Sequence, residues 1–303
     1  MLIRWRERNL HLHAWSPPDP LGAVQIVHGM AEHGGRYAAF AQRLVAAGFA
    51  VYAHDLPGHG QCIADGDVRG HFADRHGWSF ALASVEAVKD YVNRQHPSLP
   101  RFVFGHSMGS FLTQHLMLDH SRELAGVVLS ATTGDLGRLR PLGLALLRAE
   151  IAAKGPRHPS AIGQRLGFGP FNRRFRPNRT AFDWLSRDAD EVDRYIADPL
   201  CGFRVTASLW ADTLGACGTL SSPRRLRPLD SRLPVLLISG SEDPVGNSGR
   251  GPARLARAYR KAGLQDVEVR SFAGARHELL HETNRHEVER LVLNWLGNRL
   301  RGR

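Results

Sequence analysis

The chain has 303 residues, of which 43% are apolar and 23% charged. That balance suits a globular protein with one large core, or a core carrying an insertion. The net charge of +11 raises nucleic acid as a partner, but the arginines are spread along the chain and form no stripe interleaved with aromatics, which argues against one. No apolar run approaches the roughly 20 residues of a membrane-crossing helix. The N-terminus, Met1-Leu-Ile-Arg-Trp-Arg-Glu-Arg8, lacks the apolar stretch of a secretory signal. Cys62, Cys201 and Cys217 fit buried reduced thiols in a cytoplasmic protein better than a disulfide framework.

In chain order, strand and helix patterns alternate. Residues 2–6 and 10–15 predict two edge strands, followed by the turn Pro17-Pro-Asp-Pro20. Ala23–Val27 is a strand ending in His28-Gly29, residues 37–47 a helix stopped by Gly48, and Phe49–Ala53 a strand ended by Asp55-Leu-Pro-Gly-His-Gly60. A helix over about 79–94 precedes the buried strand Phe102–Phe104, which leads through Gly105-His-Ser-Met-Gly109 into a helix over 110–118. Ala125–Ser130 is the next strand. Alternation then stops for about 100 residues, too long for a structureless loop in a compact domain. Short helical patterns such as 142–153 and 205–214 mark it as an inserted helical subdomain. Strands resume at 234–238 and 267–272, with helices near 252–262 and 282–296, the last ended by Gly297. Alternating strands and helices predict an α/β protein with a mainly parallel sheet covered on both faces.

A serine at the strand-to-helix turn 105–109 takes a strained backbone, and the residues two before and two after have no room for side chains. Ser107 is therefore the candidate nucleophile. A serine hydroxyl needs a base, a group that orients the base, and donors for the oxyanion. Doubly wound hydrolases supply these in the order Ser, acid, His, each at the carboxyl end of a strand. Asp243 follows the strand 234–238, and His277 follows the strand 267–272. The plainer reading of Asp243 is a turn residue before Pro244, and Glu242 and Asp230 are rival acids. His281 is the nearest rival base. The backbone N–H groups of Met108 and Met30 are the candidate oxyanion donors. His277-Glu-Leu-Leu-His281 matches a zinc pattern, but a third ligand is missing: Asn284 and Glu287 stand at the positions where the extended motif wants Gly and His. Hence no metal and no cofactor are expected.

With these residues in hand, His28-Gly-Met-Ala-Glu-His-Gly-Gly-Arg-Tyr37 resembles the oxyanion-loop signature of the monoglyceride lipase and lysophospholipase-like family. Gly105-His-Ser-Met-Gly109 is similar to that family's nucleophile motif, Asp55–Gly60 to its intervening loop, and Asp198-Pro-Leu-Cys201 to a segment of its cap. The resemblance implies an α/β-hydrolase fold, with a core of residues 1–131 and 232–303 and an inserted cap (lid) of residues 132–231. It also implies the triad Ser107, Asp243 and His277, and a serine esterase acting on monoacylglycerol or lysophospholipid. Leu142, Leu144, Leu146, Leu147 and Ile151 are a candidate acyl-binding wall, or local core. The basic stretches 172–179 and 223–228 read first as solvated faces and second as a peripheral contact with an anionic membrane. Two rival functions are a proline-iminopeptidase-type aminopeptidase on the same fold and a non-catalytic binding member. The peptidase would need cap acids such as Asp188, Asp190, Glu191 and Asp193 to hold an α-amine.

Overall fold

A computed structural model describes residues 1–134, 137 and 139–301. Among them, eight strands form one sheet: β1 (Leu2–Trp5), β2 (Arg8–Trp15), β3 (Gly22–Val27), β4 (Phe49–His54), β5 (Arg101–His106), β6 (Gly126–Ser130), β7 (Val235–Gly240) and β8 (Val267–Phe272). Their order is β1-β2-β4-β3-β5-β6-β7-β8. β2 is antiparallel to β1 and β4, and all remaining neighbours are parallel. Of the two strands expected at the edge, only β1 lies there; β2 is paired on both sides.

β3, β4, β6 and β7 are buried at every residue, the pattern of strands covered on both faces. Side-chain alternation divides the core in two. Val103, Val127, Leu129, Val235 and Leu237 point to one face. There they meet α2 (Gly77–Gln95), α3 (Met108–His120) and α10 (Arg250–Lys261). Phe102, Phe104, Val128, Leu236 and Ile238 point to the other. That face is covered by α1 (Ala38–Ala46) and α11 (Arg285–Arg301). The chain between β6 and β7 carries α4 (Arg140–Lys154), α5 (Ala161–Leu166), α6 (Phe168–Arg173), α7 (Ala189–Ala197), α8 (Ala207–Cys217) and α9 (Pro223–Leu226). Ser160, Asp188 and Thr206 cap α5, α7 and α8 by accepting backbone N–H groups, which fixes where these short helices begin.

The last helix departs from expectation at both ends. Glu282 is wholly buried outside it, accepting the Arg187 guanidinium at 2.9 Å and the Arg276 N–H at 2.8 Å. Gly297 does not end it: the helix runs on to Arg301, because Trp295, Leu296 and Leu300 pack on the sheet and packing outweighs the roughly 1 kcal/mol propensity cost of one glycine. All three cysteines are buried and none is in a disulfide. No helix among the described residues is long and apolar enough to cross a membrane.

Phe104 is 1% exposed at the centre of the second face. Phe104→Ala should cost about 3–5 kcal/mol of stability, read as a lower urea midpoint at unchanged slope. An unshifted midpoint would mean that this layer does not hold the sheet.

Candidate active site

The site lies at the carboxyl ends of the central strands. Ser107 sits between β5 and α3 with φ 52° and ψ −121°, a left-handed region that a side chain with a Cβ adopts only under strain. Its N–H donates to the Ser130 carbonyl at 2.9 Å, which ties the turn to β6. A Cβ on Gly105 would run into Thr113 Oγ1 and the Gly109 carbonyl; one on Gly109 would run into the Val27 and His28 carbonyls. The two glycines thus let α3 start against the ends of β3 and β5.

Asp243 lies three residues beyond β7 and is fully buried. Its Oδ1 accepts the Val245 N–H at 3.0 Å, so it is a turn residue as well as a site residue. His277 lies five residues beyond β8 and is 3% exposed. Its Nδ1 is 2.9 Å from Asp243 Oδ1, and its Nε2 is 2.9 Å from Ser107 Oγ. A carboxylate only accepts, so Nδ1–H donates to Asp243 and Nε2 receives the Ser107 hydroxyl. Burial works against protonation of His277, but the Asp243 charge and hydrogen bond prevail and raise its pKa. The imidazole can therefore take a proton from Ser107 and carry the resulting charge.

The rivals lie elsewhere. Glu242 pairs with Arg174 at 3.2 Å and Asp230 with Arg232 at 3.1 Å. His281 ends a single 3-10 turn, Leu279–His281, and lies 3.5 Å from Glu278. His277 and His281 are thus not on one helix. They also share no metal-like cluster among the described residues.

Met108 opens α3, where the N–H groups of the first turn point outward and attract negative charge. Met30 lies in the loop after β3. Neither amide has an internal acceptor among the described residues. The loop is held from behind. Glu32 Oε1 accepts the Gly29 N–H at 2.5 Å and the Tyr37 hydroxyl at 3.0 Å. His28 Nε2 accepts the Leu56 N–H at 2.9 Å, so its Nδ1–H donates to the Gly29 carbonyl at 2.7 Å. Burial lowers the His28 pKa, consistent with this neutral tautomer.

Sequence reasoning missed two features. The first is a buried charge network. Arg36 donates to Glu32 at 2.9 Å and in a fork to Glu278 at 2.6 and 2.8 Å, and its guanidinium lies 4.9 Å from the Tyr195 ring. Glu278 is desolvated, but Arg36 prevails and lowers its pKa. One cation thus links the loop of Met30, the neighbour of His277 and a residue of α7. Its signal was partly visible: Arg36 and Glu32 fall in the ten-residue motif, but Glu278 was absorbed into the zinc pattern. The second is Trp184, from the β6–β7 segment. Its ring lies 4.9 Å from that of His277, and its carbonyl accepts the His277 N–H at 3.4 Å. No local pattern marked it.

A cavity of about 380 Å³ lies between the β6–β7 segment and the acid loop. Leu147, Leu166, Phe171, Trp210, Leu214 and Val245 supply its apolar lining. Ser107 is not part of its wall; the cavity adjoins the site through Val245, two residues from Asp243, and through Phe171, whose ring is 5.2 Å from Trp184. The expected acyl wall on α4 is divided. Leu147 lines this cavity, Leu144 and Ile151 line a separate cleft of about 580 Å³, and Leu142 and Leu146 are exposed.

The doubly wound sheet, with a Ser–His–Asp contact at its carboxyl edge, defines an α/β hydrolase. The chain belongs to the family described as serine aminopeptidase, S33, which matches residues 18–284. It is 29% identical to a monoacylglycerol lipase of Mycolicibacterium smegmatis over 94% of this chain and 92% of that one. It is also 29% identical to the human monoglyceride lipase, over 88% and 79%. The solved carboxyl esterase of Bacillus coagulans, in complex with glycerol, is similar at TM-score 0.90 and 25% identity, covering 99% of this chain and 98% of that one.

Arg36→Met would leave Glu32 and Glu278 as uncompensated buried charges. It should destabilise the fold by about 3–5 kcal/mol. Arg36→Met/Glu32→Gln/Glu278→Gln, which removes all three charges, should recover part of that loss in the same denaturation experiment. Equal loss in both proteins would show that the network is not the cause.

Proposed function

We propose that the chain is a serine carboxylic-ester hydrolase cleaving single-chain lipid esters, monoacylglycerol or lysophospholipid, through an acyl-enzyme on Ser107. The observation that carries this reading is the pair of 2.9 Å contacts from His277 to Ser107 and Asp243. Ser107 Oγ attacks the ester carbonyl as His277 Nε2 takes its proton. Asp243 orients the imidazole and stabilises its charge. The Met30 and Met108 N–H groups bind the oxyanion, each worth on the order of a hundredfold to a thousandfold in rate. His277 then protonates the departing alcohol. Water, deprotonated by the same nitrogen, attacks the acyl-enzyme and releases the fatty acid. The chemistry asks for no cofactor.

In this reading residues 132–231 act as a cap over a core of 1–131 and 232–303, and the 380 Å³ cavity takes the acyl chain. Its apolar lining and its position beside the acid loop support that use. The names of the curated relatives, lipases of monoacylglycerol, point to the same substrate class.

The family description favours an aminopeptidase, but the acids do not supply a pocket for an α-amine. Asp188 pairs with Arg285, Asp193 with Arg179 and Glu191 with Arg194. Asp190 is exposed on α7. Glu278, beside the site, has both oxygens on Arg36.

Ser107→Ala should lower hydrolysis of p-nitrophenyl butyrate and monoolein on the order of a millionfold and abolish labelling by a fluorophosphonate probe. Cleavage at the parent rate would refute the nucleophile. Turnover of Pro-naphthylamide but not monoolein by the parent would favour the peptidase.

Leu147 is 2% exposed and faces the cavity. Leu147→Trp should therefore lower kcat/KM for long-chain relative to short-chain p-nitrophenyl esters. An unchanged ratio would assign the cavity to something other than the acyl chain.

A further inference from the structure

The sequence places an unusual trio on the outer part of the sheet. β2 buries Leu10 and Leu12 on one side, so His11 and His13, two residues apart, share the other. Asp55 directly follows β4. Its N–H donates to the His11 carbonyl at 3.0 Å, continuing the antiparallel register in which Leu12 faces His54. Asp55 therefore comes opposite His11, where cross-strand side chains meet. The two imidazole rings have centroids 4.6 Å apart. His13 Nε2 lies 3.3 Å from Asp55 Oδ1. One donor atom from each of the three residues lies within 4.8 Å of the other two.

We propose that His11, His13 and Asp55 form a binding site for one divalent cation of the zinc, nickel or copper class. Two imidazoles and a carboxylate match the donor preference of these ions, not that of magnesium or calcium. Three protein ligands leave a coordination position for solvent, as in open zinc sites. An ion pair between His13 and Asp55 would explain two members of the trio; it does not require His11 beside them. Asp55 is oriented independently: Oδ1 accepts the Gly34 N–H at 2.8 Å and Oδ2 the Gln61 N–H at 2.7 Å. Such outer hydrogen bonds fix a ligating carboxylate. Both histidines are half-buried, and His13 Nε2 is itself covered and has no hydrogen-bond partner.

A bound ion would join β2 to the loops behind the active site. Gly34 begins the turn that precedes α1, and the Leu56 N–H next to Asp55 is held by His28. The expected consequence is stabilisation of the folded chain by mass action. This proposal does not depend on the esterase reading.

A second trio, His33, Asp198 and Cys201, has similar spacing. There His33 Nε2 already bonds Asp198 at 2.9 Å, and burial pushes the Cys201 thiol pKa up, disfavouring the thiolate that binds metal. The second trio serves as the control.

The test is zinc binding by the full chain, stripped with chelator, followed by competition with a chromogenic zinc indicator and by thermal unfolding with added zinc chloride. One zinc per chain and a raised Tm are expected. His11→Ala and His13→Ala should each weaken binding at least about tenfold and remove the Tm rise, while Cys201→Ala retains both. Unchanged circular dichroism and an unchanged cooperative thermal transition in chelator establish that the variants are folded. If His13→Ala, which loses the stacking on Trp15, does not fold, His11→Ala decides alone. Zinc binding unaffected by the histidine changes, or lost only in Cys201→Ala, would overturn the assignment.

Discussion

A buried imidazole shared between a carboxylate and a hydroxyl is the contact on which the arrangement rests. His277 occupies a place where burial disfavours its charged form, and Asp243 across 2.9 Å reverses that preference. The sheet order makes the contact possible. β7 and β8 are neighbours, so the acid and histidine loops rise side by side. β5, one strand removed from β7, presents Ser107 on a turn too tight to retract. Ser107 directly follows β5, whereas Asp243 and His277 lie three and five residues beyond their strands, on loops where both are buried.

The surroundings let one histidine change charge while others stay neutral. His106 precedes Ser107, and its ring lies 5.0 Å from that of His277. Burial pushes its pKa down to about 4. It therefore places no second cation beside the imidazolium that would form. The carboxylates of Glu32 and Glu278 are matched by Arg36. A buried ionic cluster of this kind is weak evidence of stability, because desolvation takes back most of the Coulombic gain. Its effect is positional: the guanidinium fork accepts one arrangement of the Met30 loop relative to the His277 loop, and Tyr195, donating to the Ala31 carbonyl at 3.0 Å, extends it to the segment above.

Much of this was legible because it is local. Buried parallel strands are short apolar runs, and each candidate site residue falls in the first loop after one. The glycines of the Ser107 turn report a steric demand within five residues. What was not legible depends on long-range pairing. Arg36 and Glu278 are 242 positions apart, and nothing near either announces the other. Glu282 looks like the start of a helix until its contact with Arg187 is known. Gly297 looks like a stop until Trp295 and Leu300 are seen packed on the sheet. Residues 142–151 read as one apolar stripe, whereas the short helices around them turn it toward two cavities and solvent.

The same division separates the Ser107–His277–Asp243 contact from the cavity beside it. The groups that would perform bond cleavage are held by the sheet, whose strand order determines their meeting point. The cavity beside them is built from α4, α5, α6 and α8, of which α5 and α8 begin at side-chain caps, and its packing relies on rings such as Phe168, Trp184 and Trp210. Trp184 is the exception: it belongs to that segment yet touches the His277 ring and accepts its backbone N–H. Through this residue the segment between β6 and β7 contacts the imidazole directly and forms part of the wall around it.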